Sequence, residues 1–123
     1  MSRLVLPDSR LHGGIRQTVA AHYREFIEQV DAATHSHAVV VVGMRANPYP
    51  RKACELLRSA GIAYHYIEHG SYFSGWRQRN ALKMWSGWPT FPMVFIKGVL
   101  VGGYSNLKAL KDSGELARML SAV

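Results

Sequence analysis

The sequence predicts an α/β domain built on a mixed four-stranded sheet flanked by helices. Three observations predict it. Ala38 to Val42 is a continuous apolar, largely β-branched run, the pattern of a central strand buried on both faces. A helical stretch then crosses to a second apolar run at 62–67, which sets the first two strands parallel. Finally Met93 to Ile96, Lys97-Gly98 and Val99 to Val101 read as a hairpin, adding antiparallel strands.

Each element follows in order. Residues 1–14 read as a flexible arm ending in Gly13-Gly14, and 15–123 as the folded domain. Ile15, Val19, Tyr23, Phe26 and Val30 recur at helical spacing, which predicts one amphipathic helix. Thr34 to His37 is a polar connection, and Gly43 to Ala46 a loop. Asn47 is a good N-cap. Pro48 suits the first helical position because its missing N–H has no helical partner there. The helix runs through Ala60, and Gly61 ends it. Ser74 to Trp85 reads as a further helix, and Gly87, Pro89 and Pro92 mark a turn. Leu107 to Leu120 supplies one or two final helices, interrupted near Ser113-Gly114.

The 123 residues, 48% of them hydrophobic, suit one compact domain. No apolar run approaches the ~20 residues of a membrane span. Pro7, Asp8 and Arg10 stand where a secretion signal needs an apolar run, so a cytoplasmic location is expected. A single cysteine forms no internal disulfide and builds no multi-cysteine metal site. The formal charge is +7, and from Arg45 to Lys97 eight basic residues face two acidic ones, giving +6. That balance favours an anionic ligand or surface; a solvated basic face is the plain alternative.

Four strings in the second half are specific: Trp85-Ser-Gly-Trp-Pro-Thr-Phe-Pro92, Val94-Phe-Ile-Lys-Gly98, Leu100-Val-Gly-Gly103 and Leu107-Lys-Ala-Leu-Lys-Asp-Ser-Gly-Glu-Leu116. With them the chain resembles the glutaredoxins of the thioredoxin fold, most closely the monothiol class that carries Cys-Gly-Phe-Ser. The resemblance covers about residues 20–120. It implies glutathione-dependent disulfide chemistry in cell redox homeostasis, or iron–sulfur cluster transfer. Both use a cysteine at the start of the first crossover helix, where backbone N–H groups and the helix dipole favour thiolate.

Here the sequence departs from the family. Asn47-Pro48-Tyr49-Pro50 stands where dithiol members carry Cys-Pro-Tyr-Cys, so Asn47 occupies the nucleophile position. An amide is neither nucleophile nor thiolate ligand. Cys54 lies seven residues on, roughly 10 Å along the helix, too far to replace it. It is expected to be a buried structural residue. No catalytic residue is therefore assigned, an iron–sulfur cluster is not expected, and enzyme activity is doubtful.

The resemblance also implies a glutathione cradle. Arg79 matches an arginine that binds a glutathione carboxylate, a task suited to a guanidinium fork. Phe91-Pro92 matches a turn whose proline is cis and whose preceding residue pairs with the glutathione backbone. Gly102, Gly103, Tyr104 and Ser105 match a helix start that holds the γ-glutamyl carboxylate. Tyr49 lies beside the nucleophile position, and Arg45 neighbours Met44, which replaces a family lysine. Ser105 stands in place of a family Asp. The alternatives are a solvated Arg79, a core Phe91 and a simple bend at Gly102-Gly103.

Three functions stay open: a redox-inactive module binding glutathione, a peptide or a protein in a basic groove; the family's oxidoreductase or cluster chemistry; and a basic module for nucleic acid. The last rests on Trp76, Trp85 and Trp88 beside Arg77, Arg79 and Lys83. No metal site is expected. His35 and His37, or His65 and His69, lack further ligands, and the latter pair would sit ~13 Å apart on a strand.

Overall fold

The computed structural model describes residues 1–70 and 75–121. After a 3-10 turn at Asp8–Arg10 come α1 (Gly13–Ala21), α2 (Arg24–Ser36), β1 (Val39–Gly43), α3 (Pro48–Ser59), β2 (His65–Glu68), α4 (Trp76–Ser86), β3 (Met93–Ile96), β4 (Val99–Gly102), α5 (Tyr104–Ser113) and α6 (Glu115–Ser121). The sheet order is β2-β1-β3-β4. β1 pairs parallel with β2 and antiparallel with β3, which pairs antiparallel with β4.

β1 is buried from Val39 to Gly43, as its unbroken apolar run requires. Its side chains alternate between two cores. Val39 and Val41 join Leu57 of α3, Val94 and Ile96 of β3, Leu107 of α5 and Leu116 of α6. Val40 and Val42 join Val30 of α2, Leu82 of α4, and Met93 and Phe95 of β3. Helices thus cover both faces of the sheet.

The expected single N-terminal helix is two. The chain breaks at Tyr23, whose backbone is left-handed at φ 50°. Ile15 and Val19 stay about half exposed, so α1 buries none of its residues. Helical spacing reports that one face is apolar, not that a core exists for it to meet. α2 then runs on to Ser36 through the residues expected as a connection, burying Thr34. Within residues 1–14, Arg3 Nη1 donates to the Ser86 carbonyl at 2.9 Å, and α1 already starts at Gly13.

β2 starts at His65 rather than at 62. The paired stretch of β1 meets it first at Val40↔His65, so the preceding residues have no strand ladder to join. Ile62 and Tyr64 still pack against the core. The expected helix start at Ser74 lies outside the described residues; α4 begins at Trp76. The final helices divide at Gly114, left-handed at φ 82°, where the sequence placed the interruption. No helix among the described residues is long and apolar enough to cross a membrane.

Candidate functional site

The C-terminal end of β1 delivers Asn47 to the start of α3. Its Oδ1 accepts from the Tyr49 N–H at 3.0 Å, an N-cap that satisfies one donor the helix leaves open. Its Nδ2 donates across the site to the Phe91 carbonyl at 3.3 Å. The Phe91–Pro92 bond is cis. One amide therefore ties the α3 N-terminus to the loop before β3.

A groove of about 480 Å³ opens beside this tie. Asn47, Tyr49, Phe91, Pro92, Gly103, Tyr104 and Ser105 line it, together with Lys83 and Trp88. Tyr49 and Tyr104 face each other with ring centroids 6.4 Å apart, one at the start of α3 and the other at the start of α5. Two ammonium groups border aromatic rings of the site. Lys52 Nζ lies 5.0 Å from the Tyr49 centroid and Lys83 Nζ 5.8 Å from that of Phe91. Trp88 Nε1 is buried in the groove wall without a hydrogen-bond partner among the described residues.

At the α5 end the first open backbone donor is already used. The Gly103 N–H donates to Asn106 Oδ1 at 3.1 Å. Gly102 is left-handed at φ 117°, and a Cβ there would stand 2.6 Å from the same Asn106 oxygen. This glycine lets the Asn106 side chain fold back over the helix start. Both ends of the groove thus carry an asparagine that satisfies a backbone group from within the chain.

The structure separates the residues read from the sequence. Tyr49, Phe91, Pro92, Gly103, Tyr104 and Ser105 come together in the groove; Arg45, Arg79 and Gly102 do not line it. Arg45 turns toward β2, with Nε 4.0 Å from Glu68 Oε2. Arg79 is only 6% exposed, and its Nη1 donates to the His69 carbonyl at 3.3 Å. It is neither solvated nor part of the groove wall. Lys83, one turn further along α4, takes that place. Sequence reading passed over Lys83 and Asn106 as groove residues. The i, i+4 step from Arg79 was the available signal for the lysine. For Asn106 it was an amide at the third position of a helix opened by Gly-Gly.

Cys54 is buried in the core. Burial pushes its thiol up from the ordinary range, against smaller opposing effects of a Tyr64 hydrogen bond and the Arg58 charge. A low thiolate fraction and very slight exposure make it a poor nucleophile. The donors at the groove mouth are an amide, phenols and backbone groups. That set does not fit an iron–sulfur cluster, which is held by thiolates.

Comparison with known proteins agrees with this architecture. The glutaredoxin family model matches residues 39–101. The chain is 43% identical over 82 residues to a glutaredoxin-like protein of Dictyostelium discoideum, covering 67% of each chain. This chain belongs to the glutaredoxin family. It is 33% identical over 122 residues to the chloroplastic bifunctional monothiol glutaredoxin-S16 of Arabidopsis thaliana, covering 91% of this chain but only 41% of that protein. Among solved structures it resembles a buckwheat glutaredoxin–glutathione complex, with TM-score 0.71, 24% identity and coverage of 82% of this chain and 92% of that one. The sheet and its flanking helices form the thioredoxin fold.

Proposed function

We propose that this member of the glutaredoxin family works by binding rather than by thiol exchange, holding glutathione or a short peptide in the groove between the starts of α3 and α5. The carrying observation is the Asn47 amide. It caps α3 through Oδ1 and braces the Phe91 carbonyl through Nδ2, which makes it a structural part where the family resemblance calls for a reacting one. Lys83 and Lys52 supply positive charge for ligand carboxylates, and Tyr49 and Tyr104 flank a ligand's middle. The positive end of α5, beyond the Gly103 N–H that Asn106 occupies, favours an anionic end group.

Disulfide exchange needs a thiolate that attacks sulfur and a thiolate that leaves. The one cysteine here is buried with a raised pKa, which opposes that reading. The test is an amide NMR titration with reduced glutathione, run beside a glutathione-coupled disulfide reduction assay. Shifts confined to Tyr49, Lys83, Phe91 and Gly103 to Ser105, without turnover, are expected. Turnover above the no-protein background, or no shift at millimolar glutathione, would overturn the reading.

A further inference from the structure

On the other side of the α3 start lies a second cavity, of about 370 Å³, between α3 and β2. We propose that it binds a small phosphate monoester. This site is separate from the glutathione groove and does not rest on its reading; Met44 and Asn47 stand at the border between the two.

The walls come from three places. Arg51 and Arg58 are seven residues apart on α3, with Cys54 between them, so all three share one helix face. The two guanidiniums start ~10 Å apart along the axis, a spacing that two flexible side chains bridge around one anion. Arg45 enters from the loop after β1. Tyr64, Tyr66 and Glu68 alternate along the β2 segment, which places them on the sheet face that carries α3.

The site has the charge and shape of a receptor. Three guanidiniums face one carboxylate. Glu68 is shared between the Tyr66 hydroxyl, which donates to Oε1 at 3.3 Å, and Arg45 at 4.0 Å, which is too long for a hydrogen bond. Neither Arg51 nor Arg58 forms an ion pair among the described residues. Gly43 makes the floor possible. A Cβ there would lie 2.8 Å from the Tyr66 hydroxyl and 2.6 Å from Pro50 Cβ, so only glycine lets the phenol reach beneath the start of α3. Arginine's planar fork matches phosphate oxygens two at a time, and several guanidiniums around one cavity favour a dianion over a monoanion. The volume falls within the range of small-molecule clefts, and the lining is mostly polar, as a charged ligand requires.

The probes are adenosine 5′-monophosphate, a phosphoserine peptide, inorganic phosphate and adenosine, titrated at constant ionic strength against the full chain with arginine Nε–H and amide signals as readout. Adenosine monophosphate should shift Arg51, Arg58 and Tyr66 and bind more tightly than inorganic phosphate, while adenosine alone shifts nothing. Arg51→Gln with Arg58→Gln should weaken it roughly ten- to hundredfold, the loss expected for charge-assisted hydrogen bonds. Both positions are exposed, so the double variant should fold, and its response to glutathione should be unchanged. No response to millimolar adenosine monophosphate, equal affinity for inorganic phosphate, tighter binding of the phosphoserine peptide, or unchanged affinity in the double variant would each overturn the assignment.

Discussion

Asn47 Nδ2 donates to the Phe91 carbonyl oxygen at 3.3 Å, joining residues 44 positions apart in the chain. The same side chain accepts the Tyr49 N–H. One donor and one acceptor of that amide, half its hydrogen-bonding capacity, are therefore directed at backbone groups of two elements. Such a side chain holds the α3 start at a fixed distance from the cis Phe91–Pro92 turn.

Removing the brace should cost stability. Asn47→Ala deletes the N-cap acceptor and leaves the Phe91 carbonyl without this donor, an expected loss of about 1–2 kcal/mol. Asn47→Asp keeps the cap acceptor and gains from the helix dipole, but sets a carboxylate against a carbonyl. Urea unfolding should rank the wild type first, Asp next and Ala last. An Ala variant as stable as the wild type would show that the amide braces nothing.

Putting sulfur at the same place tests the inherited pocket. Asn47→Cys should carry a thiol whose pKa lies below the ordinary ~8.5, because it faces the positive end of α3. Its thiolate should attack one sulfur of oxidised glutathione, forming a mixed disulfide at position 47 and releasing the other half as glutathione thiolate. Alkylation rates against pH and peptide mass mapping read both effects. An ordinary thiol pKa in this variant would mean that the helix start no longer favours an anion.

Lys83 and Arg79 should divide binding from stability. Lys83→Gln should weaken groove ligands while changing stability by no more than ~0.5 kcal/mol, as for most surface substitutions. Arg79→Gln should instead destabilise, because its guanidinium is buried and donates to the His69 carbonyl. Paired glutathione titrations and thermal melts separate the two. The reverse assignment of effects would return Arg79 to the binding site.

His69 gives the fold a pH dependence of known sign. Burial, and then the nearby Arg79 charge, hold its imidazole below the usual value of about 6.5. Its ring packs on Phe26 with centroids 4.6 Å apart. Below that usual value the unfolded chain takes up a proton that the folded chain resists. The contribution is complete above about pH 6.5 and is lost as pH falls through the depressed folded value. His69→Gln should flatten this part of the stability-against-pH curve. An unchanged slope would place the titration elsewhere.

Some of the site was legible because it depends on local chemistry. Asn47 before Pro48 marked one helix start; the pattern began the last helices at Leu107, and it was the family resemblance that pointed to the earlier start after Gly102-Gly103, where α5 begins at Tyr104. Arg79 lies off the groove wall for a physical reason. Position on a helix gives the side of the helix within a turn, but not whether that side meets solvent or core. Four residues further, Lys83 has the same kind of charge and a different environment. Likewise Ile15 and Val19 carried helical spacing in a segment that packs against no core.

By itself the sequence determined the order of the strands and of the helices between them, the buried central strand, the hairpin, and an asparagine at the start of the first crossover helix. These follow from period, turn chemistry and residue type, all of which act over a few positions. Only the tertiary structure decided that Asn47 reaches Phe91, that Asn106 folds onto Gly103, that Arg79 is buried while Lys83 borders the groove, and that Arg45, Arg51 and Arg58 surround one cavity. Those are relations between segments distant in the chain. Their distances are set by how the sheet and its two cores pack, which no local pattern encodes.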